Sequence, residues 1–342
     1  MKNKQPIIRA LDIGYGAVKF VRGMMPNGKP LVDVFPSIIK QLDSSHHLNL
    51  MGHRDTCRVT IDDTTYEAGK DMDAAFDGGS NRILNSNYIN SNEYKVLFQT
   101  ALYYMDSDSI DLLVVGLPVS YMDTKAEFLR ELFVGTHTVM GKTKEVKDIH
   151  VIPQPIGGFM STVQAKNLSP AIVKAQRNLL IDPGFFTVDY VAARGMKEIN
   201  SISGSPPYGM HTLINRICEL ISKDLNIIYD NISSVDEGLY TGNFTLYGKK
   251  IDLKKYAKKA SSVFQPAIED IKNQIGDGRE FDKIVLVGGG AQYFEAPLKK
   301  AFPNITIEQC ASPQTANVLG FQFIGELKLN CVPSNREVRD VA

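Results

Sequence analysis

The stretch Arg9-Ala-Leu-Asp-Ile-Gly-Tyr-Gly-Ala-Val-Lys-Phe-Val-Arg22 returns in altered form as Leu180-Ile-Asp-Pro-Gly-Phe-Phe-Thr-Val-Asp-Tyr-Val191. At a single offset of 170 positions, Leu11 falls on Ile181, Asp12 on Asp182 and Gly14 on Gly184. Val18 then falls on Val188, Phe20 on Tyr190 and Val21 on Val191. Each copy reads as an apolar strand, Asp-x-Gly, a short turn and a returning strand. Alone, either copy is an ordinary hairpin. Six matched positions at one offset favour a duplicated unit. The chain is therefore expected to form two similar halves facing each other, with two carboxylates and two glycine turns meeting in the cleft between them.

That pairing suits a nucleoside triphosphate. A glycine turn lets backbone N–H groups approach phosphate oxygens with no side chain in the way. An aspartate would repel phosphate directly, so Asp12 and Asp182 are expected to hold a hydrated Mg²⁺ through its water shell, since Mg²⁺ takes few carboxylates and keeps most of its waters. Gly14, Tyr15, Gly16, Gly184 and Phe185 would supply backbone N–H groups, and Lys19 a point charge for the phosphates.

The two hairpins resemble the phosphate-1 and phosphate-2 motifs of the actin, sugar-kinase and heat-shock-chaperone ATPase superfamily. The resemblance continues in order along the chain. Asp111-Leu-Leu-Val-Val-Gly-Leu-Pro118 and Val151-Ile-Pro-Gln-Pro-Ile-Gly-Gly158 resemble its first connecting region. Val285-Leu-Val-Gly-Gly-Gly-Ala291 resembles its adenosine motif, and Ala316-Asn-Val-Leu-Gly-Phe321 its last connecting helix. Within the superfamily the chain looks most like ParM/StbA-type plasmid-segregation actins, and more narrowly like the protein D group of the PRTRC plasmid gene cluster.

The resemblance implies an α/β fold of two actin-like domains, each a mixed sheet flanked by helices, with ATP or ADP and Mg²⁺ in the cleft. Gln154 takes the place of the residue that orients the attacking water, joining Asp12 and Asp182 as a catalytic candidate. A neutral amide would act there by position rather than as a base; the alternative is that Gln154 caps its helix. Gly288, Gly289, Gly290 and Gln292 would lie along the adenosine. The resemblance further implies ATP hydrolysis coupled to self-association into filaments, and plasmid segregation through a DNA-bound adaptor protein. One departure is plain: Phe185 and Phe186 follow Asp-x-Gly where the superfamily carries small residues.

Composition agrees with that class. Of 342 residues, 43% are hydrophobic and 22% charged, as in ordinary globular proteins, and the length suffices for two domains. Lys plus Arg equals Asp plus Glu at 38 each, so no global field draws the chain to nucleic acid or to an anionic membrane. The longest apolar runs, such as 110–119, hold about ten residues against the ~20 of a membrane helix. The opening Met-Lys-Asn-Lys-Gln-Pro has no apolar signal core, and cytoplasmic residence is expected. Cys57, Cys218, Cys310 and Cys331 have no metal spacing and read as unpaired thiols, and His46-His47 as a loop.

The expected organisation is domain I over 1–177 with an inserted subdomain at about 41–92. Domain II follows over 178–311 with an insertion at about 204–280, then a helix at 312–327 returning to domain I and a polar tail at 328–342. Helical spacing predicts one helix from Leu253 to Ile275, whose Lys254, Lys255, Lys258 and Lys259 form a solvated face.

Other functions remain open at this point. A small-molecule kinase of the same fold would need a carboxylate on the acceptor hydroxyl. Gln154 cannot serve, and Asp189, on the returning strand, is expected to lie too far away. A nucleotide-binding scaffold with little turnover is made credible by the two phenylalanines. The segment 283–308 also has a dinucleotide-binding outline, but it lacks the third glycine at position 293.

Overall fold

The computed structural model describes residues 5–42, 54–72, 87–195 and 197–329. In chain order the first half holds β1 (Ile8–Ile13), β2 (Ala17–Met24), β3 (Pro30–Pro36), β4 (Lys40–Gln41), β5 (Thr56–Ile61), β6 (Thr64–Gly69), α1 (Asn92–Tyr104), β7 (Ser109–Ile110) and β8 (Leu112–Leu117). It continues with α2 (Met122–Phe133), β9 (Gly135–Val139), β10 (Lys142–Val146), β11 (Ile149–Pro153), α3 (Gln154–Ala165) and α4 (Pro170–Ala175). The second half holds β12 (Arg177–Pro183), β13 (Val188–Arg194), β14 (Lys197–Gly204), α5 (Met210–Leu225), α6 (Ile232–Thr241), β15 (Thr245–Leu246) and β16 (Lys249–Lys250). It closes with α7 (Leu253–Ala260), α8 (Gln265–Ile275), β17 (Lys283–Leu286), α9 (Ala291–Ala301), β18 (Thr306–Gln309) and α10 (Ala316–Lys328).

The duplication read in the sequence is a duplication of topology. One five-stranded sheet runs β3-β2-β1-β8-β11 and the other β14-β13-β12-β17-β18. In each, the central strand pairs antiparallel with the next strand of its hairpin and parallel with a strand that follows a helix. The registers repeat as well: Asp12 stands opposite Lys19, and Asp182 opposite Asp189.

Period-two alternation divides the central strands between two cores. Leu11 and Ile13 enter the core of the first half with Phe20, Phe98 and Phe133. Leu179 and Ile181 enter that of the second with Tyr190, Phe264 and Phe294. Ala10 and Leu180 face the other way, into a third apolar cluster that draws on both sheets and on α3 and α10. Asp12 and Asp182, two residues further on, share that inner face and are both buried.

Helices α3 and α10 meet through glycine. A Cβ on Gly320 would stand 1.7 Å from the Gly157 carbonyl oxygen, and one on Gly157 would strike the Phe321 ring at 2.2 Å. Backbone therefore lies on backbone where the two connecting helices cross.

Several elements depart from the expected ones. The single helix 253–275 is two helices, α7 and α8, separated by a 3-10 turn at Ser261–Phe264. Pro266 lies in the first turn of α8, where its missing N–H costs nothing; mid-helix it would break the ladder. The β9–β10 hairpin, α4 and β14 were not anticipated. The β5–β6 hairpin falls within the segment expected as an inserted subdomain, while 43–53 and 73–86, with His46 and His47, lie outside the described residues. Of the expected tail, Lys328 ends α10, and 330–342 lie outside the described residues. Cys57, Cys218 and Cys310 are buried and unpaired.

Candidate functional site: the cleft between the two halves

A cleft of about 930 Å³ lies between the sheets, and Asp12, Asp182, Lys19 and Gln154 all line it. Asp12 ends in a fully shared position: one oxygen lies 3.2 Å from the Lys19 ammonium, and the other accepts from Gln154 Nε2 at 2.7 Å. Gln154 is the first residue of α3, directly after β11, and the N-cap position is held by Pro153. Its amide is turned to Asp12 instead, so the helix-cap alternative does not describe this side chain.

Asp182 occupies the matching place and accepts from Asn317 Nδ2 of α10 at 2.5 Å. Asn317 Oδ1, also buried, has no hydrogen-bond partner among the described residues. Burial pushes the Asp182 carboxyl up to about 7; Asp189 and Asp12 add to the rise, while Asn317 and Lys19 oppose it. Burial works against the charge on Lys19, but Asp12 and Asp182 outweigh it and its pKa rises. The buried carboxylates Asp12, Asp182 and Asp189 thus outnumber the lysines that line the cleft, Lys19 and Lys70.

The third carboxylate is the departure from symmetry. The offset that carries Asp12 to Asp182 carries Lys19 to Asp189. Asp189 lines the same cleft, contrary to the expectation that it lies too far away. It is tied on every side, accepting from Thr187 Oγ1 at 2.7 Å, from the Ser205 hydroxyl, and from the Val119 N–H of the first half at 3.2 Å. Those donors make it a tie between the halves rather than a free base, although burial still raises its pKa.

The two turns are built alike. The Gly14 N–H donates to the Ala17 carbonyl at 3.2 Å and the Gly184 N–H to the Thr187 carbonyl at 2.8 Å. Both glycine amides are spent inside their turns, so neither is the phosphate donor expected of it, and Tyr15, Gly16 and Phe185 carry the candidate backbone groups. The phosphate-2 turn is anchored from behind by α5: Gly209, Met210 and His211 N–H groups donate to the carbonyls of Phe186, Gly184 and Phe185.

Gly288, Gly289, Gly290 and Gln292 line the cleft after β17. Gly288 has φ +78°, and a Cβ there would fall 1.8 Å from Asp182 Oδ1. Only a glycine lets this turn pass over the carboxylate. Asp236, Glu237, Tyr240 and Tyr293, none of which the sequence singled out, line the same cleft. Glu308, the acidic residue of the dinucleotide outline, is instead engaged by Lys166 at 2.6 Å and Lys283 at 3.0 Å.

Phe185 and Phe186 do not divide as strand alternation suggests. Phe186 is half-buried and packs against the core of the first half, its ring 4.9 Å from Tyr15, while on its own side the ring lies 5.1 Å from His211 of α5. The chain is still turning at 185–187, so the alternation resumes only with β13 at Val188.

This geometry has known counterparts. Residues 10–157 match the N-terminal domain of actin-like proteins, and residues 180–300 match the C-terminal domain of the MreB-like archaeal actin homologue. The chain is an actin-like protein, with the two domains in the order the fold requires. Its fold is that of ParM. A non-polymerisable quadruple mutant of pCBH ParM superposes with TM-score 0.69 at 23% identity, over 94% of this chain and 99% of that one. ParM in a 15-stranded filament from Clostridium botulinum gives 0.69 at 23%, over 95% and 100%. Ta0583, an archaeal actin homolog in complex with ADP, gives 0.72 at 18%, over 94% and 99%. No curated protein matches the sequence. No helix among the described residues is long and apolar enough to cross a membrane.

Proposed function

We propose that this chain binds Mg-ATP in the cleft, hydrolyses it slowly, and assembles into filaments whose lifetime the nucleotide sets. The observation that carries the reading is the matched pair of carboxylates, Asp12 and Asp182, on the inner faces of duplicated hairpins beside Lys19 and Gln154. Asp12 and Asp182, with the partnerless Asn317 Oδ1 beside Asp182, would hold a hydrated divalent cation through its waters, since no cluster of three ligating side chains occurs among the described residues. When bound, Mg²⁺ would neutralise phosphate charge.

The chain's own residues supply the rest. Asp12 and Asp182 would hold waters of the cation, Lys19 would face phosphate, and Tyr15, Gly16 and Phe185 would offer backbone N–H groups. Gly288, Gly289, Gly290 and Gln292 would lie along the nucleoside. Gln154, fixed on Asp12 through Nε2, keeps its Oε1 to accept from an attacking water and so orients it. Closure around nucleotide would set the angle between the halves, and hence whether subunit faces match in a head-to-tail assembly. That the ParM relatives include a filament supports self-association here.

Segregation of a plasmid through a DNA-bound adaptor, and kinship with the PRTRC protein D group, complete this reading as its finer part. A scaffold with little turnover is the second reading, favoured by Phe185 in the cleft. Light scattering with ATP, ADP and no nucleotide, with phosphate release followed in parallel, tests both. Nucleotide-dependent scattering with phosphate release is expected; scattering without release supports the scaffold, and neither signal overturns the filament ATPase.

A further inference from the structure

The Phe185 ring stands at the phosphate-2 turn and lines the cleft together with Gly14, Tyr15, Gly16 and Gly184. It packs against the apolar clusters of both halves. A Cβ on Gly16 would stand 3.1 Å from Cβ, Cγ and Cδ2 of Phe185, so the ring lies against the bare α-carbon of Gly16 and bridges the two turns. Its neighbour Phe186 does not line the cleft.

The backbone that carries the ring cannot easily move away. The Phe185 carbonyl accepts from His211 N at 2.8 Å and His211 Nδ1 at 3.1 Å, with Gly184 and Phe186 carbonyls bonded to the same helix start. A Cβ on Gly209 would stand only 2.6 Å from the Phe185 carbonyl oxygen. Within its own half, the ring can move off Gly16 only by turning about its side-chain bonds.

Resting on the nucleotide reading above, we infer that Phe185 sets the discrimination between nucleoside diphosphate and triphosphate. The space between the two turns is where a terminal phosphate would meet backbone N–H groups from both halves, and the ring fills it. A diphosphate can be bound with Phe185 on Gly16. A triphosphate must displace it, losing the apolar contact and breaking the bridge between the turns. The wild-type protein therefore favours the diphosphate, and the bridge opens only for the longer phosphate chain.

Isothermal calorimetry of Mg-ADP and a Mg-bound non-hydrolysable ATP analogue, on wild type, Phe185→Ala and Phe186→Ala, tests this. Wild type is expected to bind the diphosphate at least as tightly as the triphosphate. Phe185→Ala should tighten the triphosphate roughly tenfold relative to the diphosphate, as expected for removing a ~1.4 kcal/mol selective penalty, and Phe186→Ala should leave the ratio within about threefold of wild type. A tenfold wild-type preference for triphosphate, or a ratio unmoved by Phe185→Ala, overturns the inference while nucleotide binding stands. Binding of neither nucleotide to wild type overturns both.

Discussion

Gly288→Ala is the sharpest test of the cleft as built. Two costs follow from the geometry. At φ +78° an added Cβ meets the following carbonyl, a penalty of roughly 1–2 kcal/mol. The same atom would fall 1.8 Å from Asp182 Oδ1 and 2.9 Å from its Cγ, inside any permitted contact. Asp182 cannot simply withdraw, because β12 fixes its backbone and Asn317 holds its other oxygen at 2.5 Å. Displacing it forfeits a hydrogen bond to a charged group, worth about 1.5–3 kcal/mol. The variant should therefore lose about 2.5–5 kcal/mol in urea denaturation, by adding these penalties. Calorimetry with Mg-ADP should show binding weakened further. Gly289→Ala, whose Cβ meets nothing nearer than Gln314 Cγ at 3.9 Å, is the control and should change stability by about 0.5 kcal/mol or less. If the two variants were equally stable and bound nucleotide equally, the close pass of this turn over Asp182 would be refuted.

Asp12→Ala and Asp182→Ala should each abolish Mg-dependent ATP turnover with the fold retained by circular dichroism; near wild-type phosphate release from either would remove the two-carboxylate cation site. Gln154→Ala should bind ATP about as well as wild type but hydrolyse it something like 10- to 100-fold more slowly, and unchanged turnover would take Gln154 out of the mechanism. Phe186→Ala, losing half-buried stacking on Tyr15 and His211, should cost about 1–2 kcal/mol in thermal melts, less than the ~3–5 kcal/mol of a buried Phe. Nucleotide-free protein should also lose stability with rising pH. Burial raises the Asp182 carboxyl from 3.8 to about 7, so the folded state holds its proton more tightly than the unfolded one. That stability is full below about pH 4 and fades as pH rises through about 7. Melts of wild type against Asp182→Asn from pH 5 to 8 should converge in slope with other titrations but differ by this component; parallel curves would contradict it.

The fold was legible because its deciding feature is a matched spacing rather than a local propensity. Asp12 and Asp182 stand at equal places in equal hairpins, and nothing in tertiary packing alters a spacing. What sequence could not show is how the copies diverged. Lys19 and Asp189 share one place, yet one is a cationic arm paired with Asp12 and the other a carboxylate whose donors come from 187, 205 and 119. Partners so far apart in the chain leave no local mark. Asn317 is equally silent, because an asparagine in an apolar helix carries no sign of the carboxylate it will meet.

Local misreadings have local causes. The helical period runs smoothly from Leu253 to Ile275, and only Pro266 hints that a 3-10 turn interrupts it. The β9–β10 hairpin turns at Met140 and Gly141, both with positive φ, and methionine is a poor advertisement for that conformation.

The crossing of α3 and α10 has a mechanical meaning. With Gly320 seated on the Gly157 carbonyl and Phe321 filling the space beside Gly116 and Gly157, the helices meet backbone to backbone at the crossing, and the ring beside it leaves little room to slide. Such a joint transmits rotation without slack, like an axle in a tight bearing. A turn of a few degrees there becomes a displacement that grows with distance from the joint, so the outermost parts of both halves would travel furthest while the carboxylates beside it barely move.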